Sequence, residues 1–104
     1  MKVCSLASSS KGNCTIVYIN DQILIIDMGI TLKELEDKLI RLKLDPDLII
    51  GVLITHEHSD HTKGLLSLVR KYNVPVYCHF DAVEGVLQKT KISSICITRF
   101  ASTS

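Results

Sequence analysis

The 104 residues allow one small domain, and a chain that is 46% hydrophobic and 22% charged is not a disordered one. Twelve basic against eleven acidic residues leave a formal charge of +1, which excludes a global pull toward nucleic acid or an anionic membrane. Any such partner must then be met at a local site. With three Tyr, two Phe and no Trp, the core is expected to be aliphatic.

In chain order, Val3 to Ala7 reads as a short strand, followed by the polar loop Ser8-Ser9-Ser10-Lys11-Gly12-Asn13. Thr15 to Ile19 is β-branched and aromatic and predicts a second strand. Asn20-Asp21 is a hairpin signal that returns the chain through a third strand, Gln22 to Asp27. Thr31 and Glu34 form a capping box, and Leu32, Leu35, Leu39 and Leu42 follow at helical spacing. That helix should stop near Lys43 or Leu44, because Asp45 precedes Pro46. Leu48 to Thr55 is apolar at nearly every position and suits a strand buried on both faces. Leu65, Leu66, Leu68, Val69 and Tyr72 mark a second helix, ended by Asn73 and Pro75. Val74 to His79 is a strand, Asp81 with Glu84 opens a short helix through Val83, Val86 and Leu87, and Ser94 to Phe100 is a last strand. A meander followed by alternating helix and strand is an α/β pattern.

No cysteine pair among Cys4, Cys14, Cys78 and Cys96 has Cys-x-x-Cys spacing, so reduced thiols in a cytoplasmic protein are expected. The N-terminus lacks a signal-peptide core, and no stretch reaches transmembrane length, so no membrane partner is expected.

Three of the four histidines fall within six residues, in His56-Glu57-His58-Ser59-Asp60-His61. If the segment is extended, His56, His58 and Asp60 point to one side and His61 to a neighbouring position. Imidazoles with one carboxylate suit Zn²⁺ and similar borderline metals. Two such ions side by side could polarise an ester, amide or phosphoryl oxygen.

The run from Thr55 to Gly64 resembles the His-x-His-x-Asp-His motif of the metallo-β-lactamase superfamily. Leu24-Ile25-Ile26-Asp27-Met28-Gly29 is similar to its strand-ending Asp-x-Gly motif, and Ser8 to Asn13 resembles the Ser-rich Gly-Asn loop of the YycJ/WalJ-like branch. With Tyr72 to Tyr77 the likeness runs along essentially the whole chain. The resemblance implies an α/β fold: the N-terminal half of an αββα sandwich, one mixed sheet with flanking helices. It also implies a hydrolase with two zinc ions, or manganese, and 5′-to-3′ exonucleases among its relatives. His56 and His58 would serve the first metal, Asp60 and His61 the second, and Asp60 would orient the attacking hydroxide as the catalytic residue. Asp27 would brace the metal loop by hydrogen bonds without touching the metal.

The family pattern also calls for a third His, a bridging Asp and a last His in later sequence. Residues 1–104 are therefore expected to be a single partial domain that appears truncated after Ser104. Ser10, Gly12 and Asn13 are candidates for a substrate loop that could cradle a phosphate, while a plain turn explains them equally. His79 reads as a structural or exposed histidine, and Arg70-Lys71, Lys89 and Lys91 as solvated helix ends. The leading function is the N-terminal portion of a metal-dependent phosphodiesterase or exonuclease, with nucleic acid as substrate. The alternatives are a thioesterase or lactamase, and a non-catalytic chain that forms a homo-oligomer through an uncovered sheet face.

Overall fold

The computed structural model describes residues 1–90 and 97–100. Strand-forming residues at the N-terminus build a meander, β1 (Lys2–Ser9), β2 (Gly12–Ile19) and β3 (Gln22–Ile26), paired antiparallel in chain order. The polar loop is shorter than expected. The ladder runs on through Ser8↔Asn13 and Ser9↔Gly12, so Ser10 and Lys11 alone form the turn. At the next turn Asn20 and Asp21 take φ of 51° and 60°, the left-handed pair that a two-residue hairpin needs and that Asn and Asp tolerate.

Three crossovers then add parallel strands, β4 (Ile49–Ile54), β5 (Val76–His79) and β6 (Ile97–Phe100), giving the order β1-β2-β3-β4-β5-β6. Residues 94–96 of the last expected strand lie outside the described residues. The first crossover holds α1 (Leu32–Arg41), whose capping box forms between Thr31 and Glu34 as read from the sequence. The helix ends at Arg41, before the expected Lys43. Lys43 takes φ of 60°, and the amide of Leu44 reaches back to the carbonyl of Leu39 at 2.9 Å, so the end is closed locally before Pro46 acts. The second crossover holds α2 (Ser59–Thr62) and α3 (Leu65–Tyr72), and α3 stops where Asn73 turns left-handed with φ of 53°. The third holds α4 (Val83–Thr90).

Register shows how the sheet is covered. Ile16, Ile25, Val52, Val76 and Ile97 align across five strands, and all are buried. Leu35 and Leu39 of α1, Leu65 and Leu68 of α3, and Val83 and Val86 of α4 join them in one aliphatic core. The opposite face behaves differently. The row Ile26, Leu53, Tyr77 and Thr98 runs from half-buried to exposed, and Val3 and Ile19 are exposed. The strand β4 is therefore fully buried on one face and only partly on the other, where Gly51 is buried and Leu53 half-buried, short of the burial on both faces expected of its apolar run. Ile50, at the register shift between Ile49 and Gly51, is exposed. Among the described residues no helix is long and apolar enough to cross a membrane.

Candidate metal centre

The ends of β3 and β4 place the chemistry. Asp27 follows β3 with φ of 63°, and its amide donates to the carbonyl of Leu53 at 2.7 Å. Its buried carboxylate points across to the residue that follows β4. Oδ1 accepts from the amide of Thr55 at 2.8 Å, and Oδ2 accepts from the Thr55 hydroxyl at 2.6 Å. Oδ2 also lies 2.8 Å from Nδ1 of His61.

These contacts place a proton on one nitrogen of each of two imidazoles. An ionised carboxylate only accepts, so the proton between Asp27 and His61 sits on His61 Nδ1. The single hydroxyl proton of Thr55 goes to Asp27, so toward His56 Nδ1, 2.9 Å away, that oxygen can only accept. Nδ1 of His56 therefore carries its own proton. Both rings therefore keep Nδ1 engaged with these partners and leave Nε2 as the atom that can turn to a metal.

The extended reading of the motif reaches His58, whose backbone is extended, and fails for Asp60 and His61. At Ser59 the chain turns into α2, with His58 as its N-terminal cap. The turn is pinned from two sides. The Thr62 hydroxyl donates to the His58 carbonyl at 3.1 Å, and the Met28 amide donates to the His61 carbonyl at 2.7 Å. Asp60 and His61 thus reach the site from a helical turn. Nε2 of His61 lies 3.5 Å from Oδ2 of Asp60, and the rings of His56 and His61 are 4.7 Å apart. One ligand atom each from Asp27, His56 and His61 lies within 4.8 Å of the others, a candidate site for a metal ion. His58 stands beside this group, its ring stacked 6.1 Å from that of His56. The donor set fits a borderline divalent metal: imidazole nitrogens with a carboxylate alongside.

Two parts of the site were given no role in the sequence reading. Thr55 joins Asp27 to His56, and its only signal was a hydroxyl residue directly before the first histidine. Glu57 packs onto α4, where a Cβ added to Gly85 would lie 2.7 Å from the Glu57 carboxylate carbon. His79 lies closer to the chemistry than expected. With Thr55, His56, Glu57, His58 and Asp81 it lines an open cleft of about 280 Å³. Its Nδ1 accepts from the amide of Asp81 at 3.2 Å. Of the loop candidates, Ser10 is exposed at the turn, Gly12 is buried, and Asn13 turns its amide toward Asp60. Cys14, Cys78 and the half-buried Cys4 are free thiols. Burial, reinforced by the charge of Asp27 and opposed by Lys38, pushes Cys14 up to about 12, and burial raises Cys78, so neither is a ready nucleophile. Cys96 lies outside the described residues.

Residues 9–84 match the Metallo-beta-lactamase superfamily. The chain belongs to that superfamily. Among its relatives, the exodeoxyribonuclease YycJ of Bacillus anthracis is 43% identical over 85 residues, which are 79% of this chain and 32% of that protein. The exodeoxyribonuclease WalJ of Streptococcus pneumoniae serotype 2 (strain D39) is 36% identical over 92 residues, 86% of this chain and 34% of that protein. The chain thus spans about a third of the length of these relatives. The crystal structure of the metallo-β-lactamase SMB-1 in a complex with mercaptoacetic acid superposes with a TM-score of 0.72. It covers 97% of this chain and 47% of its own at 13% identity, a likeness of fold alone. As a superfamily member the chain carries the expected architecture, a mixed sheet with helices on one face.

Proposed function

We propose that this chain supplies the His-x-His-x-Asp-His portion of the metal site of a DNA-degrading phosphodiesterase, a 5′-to-3′ exonuclease. One observation carries the reading: Thr55 and Asp27 hold His56 and His61 by their Nδ1 atoms with the rings 4.7 Å apart, which leaves Nε2 of each for a metal. The relatives named exodeoxyribonucleases supply the substrate class. His56 and His58 would hold one zinc or manganese ion, Asp60 and His61 a second. Bound there, the metal supplies Lewis acidity toward a phosphoryl oxygen and lowers the pKa of water. Although Asp27 lies in the candidate group with His56 and His61, both its oxygens are engaged by Thr55 and His61, so it would brace His61 and the Thr55 backbone without ligating. Asp60, next to His61 Nε2, orients the attacking water through its carboxylate. The cleft beside His56 and His58 admits the scissile phosphate, and Ser10 in the exposed turn meets the strand beyond it.

These residues alone are an incomplete ligand set, so the 104-residue polypeptide is expected to bind Zn²⁺ weakly and to hydrolyse DNA at background rates. In a chain of the relatives' full length bearing the same residues, we expect metal-dependent release of nucleotides from the 5′ end of DNA, lost in Asp60→Asn. Turnover of thioesters or β-lactams with none of DNA would overturn the substrate assignment.

The uncovered sheet face supports the second reading, a self-associating polypeptide. Val3 is 62% exposed, Ile19 43% and Tyr77 37%. Burying one such side chain contributes roughly 1.5–3 kcal/mol, enough for two copies to gain by packing sheet on sheet. Light scattering at micromolar concentration tests it, and a strict monomer would rule it out.

A further inference from the structure

Asn13 opens onto the metal motif from a different part of the chain. It is half-buried near the start of β2, and its side-chain nitrogen faces three acceptors. These are the Ser9 carbonyl at 3.0 Å, the Asp60 carbonyl at 3.4 Å and Asp60 Oδ2 at 3.2 Å. The Asn13 carbonyl in turn accepts from the amide of Gly29 at 2.8 Å, so the residue is anchored by backbone and side chain together. The approach is close because glycines line it. A Cβ on Gly29 would fall 1.7 Å from the Asp60 carbonyl oxygen, and one on Gly12 would fall 2.6 Å from the Gly29 carbonyl oxygen. The hairpin, the segment after β3 and the helical turn α2 therefore meet backbone to backbone, and the amide of Asn13 bridges the outer two.

We propose that Asn13 is a positioning residue that sets the carboxylate of Asp60. The oxygen it grips, Oδ2, is the one that stands 3.5 Å from His61 Nε2. An amide suits this task for an electrostatic reason. A lysine or arginine here would orient the carboxylate and also neutralise it, competing with a cation. A neutral N–H donor fixes the geometry and leaves the charge in place. Asn13 thus acts on the site from within, and the turn residues beside it are the ones free to meet a substrate. This inference rests on the metal-site reading of Asp60 for its consequence, but not for the contact itself.

Two measurements on the 104-residue chain separate the two. Without metal, the side-chain amide signals of Asn13 in a nitrogen–proton spectrum should shift in Asp60→Ala, because the carboxylate among their acceptors is gone. With Zn²⁺, isothermal titration should show Asn13→Ala and the similarly sized Asn13→Leu weakened by about 10- to 100-fold, the usual effect of losing a ligand's hydrogen-bond partner. Asn13→Leu combined with Asp60→Ala should be no weaker than Asp60→Ala alone, since the effect runs through Asp60. Amide signals that ignore Asp60→Ala overturn the proposal, whatever the metal does. So does unchanged Zn²⁺ affinity in both Asn13 variants. If the signals respond but no form of the chain binds Zn²⁺, the Asn13–Asp60 pairing stands and the metal reading beneath it fails.

Discussion

Asp27 and His61 meet through a 2.8 Å contact between Oδ2 and Nδ1, and the same carboxylate accepts both the amide and the hydroxyl of Thr55. One buried side chain therefore ties the end of β3 to the residue after β4 and to α2. Every one of its partners is a donor.

That donor set makes Asp27→Asn a selective probe. Asparagine tolerates the left-handed backbone at this position. Its NH₂ group, however, would face a donor in place of an acceptor. Urea denaturation should show a loss of about 2–3 kcal/mol, in the range for hydrogen bonds to a charged group. Zn²⁺ affinity should fall by about 10- to 100-fold as His61 loses its orientation. Full affinity in the variant would mean that His61 is held by something other than Asp27.

Acid should loosen the molecule at a second, separate clamp. Glu36 of α1 accepts from Lys71 at 2.5 Å and from the Tyr72 hydroxyl of α3, and these bonds, Lys71 first, hold its carboxyl below the ordinary 4.5. A lowered folded-state pKa contributes stability above the unfolded value, and that contribution is lost as pH falls through the folded value. Thermal midpoints should therefore drop below pH 4.5, and Glu36→Gln should flatten that part of the profile. An unchanged acid limb in Glu36→Gln would place the acid sensitivity elsewhere.

Local signals in the sequence were read correctly where one segment settles its own structure. The Thr31–Glu34 box, the Asn20-Asp21 turn and the Leu35–Leu39 spacing each depend on neighbours a few residues away. The histidine run also pointed to the place where His56 and His61 now form a candidate metal site with Asp27, since imidazoles and a carboxylate at short spacing need little context. The shape of the run was misread beyond His58, because the turn at Ser59 is fixed by Met28, a residue over thirty positions away. The Thr55 relay and the Asn13 grip were invisible for the same reason. Both are contacts between segments, and only the folded register brings them together.

Gly29 shows how tightly those segments meet. A methyl group there would lie 1.7 Å from the Asp60 carbonyl oxygen and 2.5 Å from the Asn13 amide nitrogen, both backbone atoms that cannot swing aside. Gly29→Ala should cost at least about 3 kcal/mol of stability, the upper range for overpacking. Gly51→Ala offers a contrast, because its nearest neighbour is a Tyr77 ring atom at 3.0 Å, part of a side chain that can shift. Chemical denaturation of the two variants should separate them clearly, and equal losses would argue that the contact at Gly29 relaxes without cost.

Gly85 offers the sharpest test of whether α4 governs the metal loop. An alanine there gains about 1 kcal/mol of helix propensity, so in isolation it should stabilise the chain. Its Cβ, however, would lie 2.7 Å from the Glu57 carboxylate and 2.9 Å from the Glu57 Cβ. The carboxylate end can rotate away, but the Cβ follows the backbone that carries His56 and His58. We expect Gly85→Ala to raise thermal stability little or not at all and to weaken Zn²⁺ binding about tenfold, as for other disturbed supports of metal ligands. Replacing Glu57 by glycine in the same chain removes the clash and should return much of the lost affinity, something a general loosening of α4 would not allow. A more stable Gly85→Ala with an unaltered Zn²⁺ isotherm would show that Glu57 yields freely and that α4 leaves the histidines where they are.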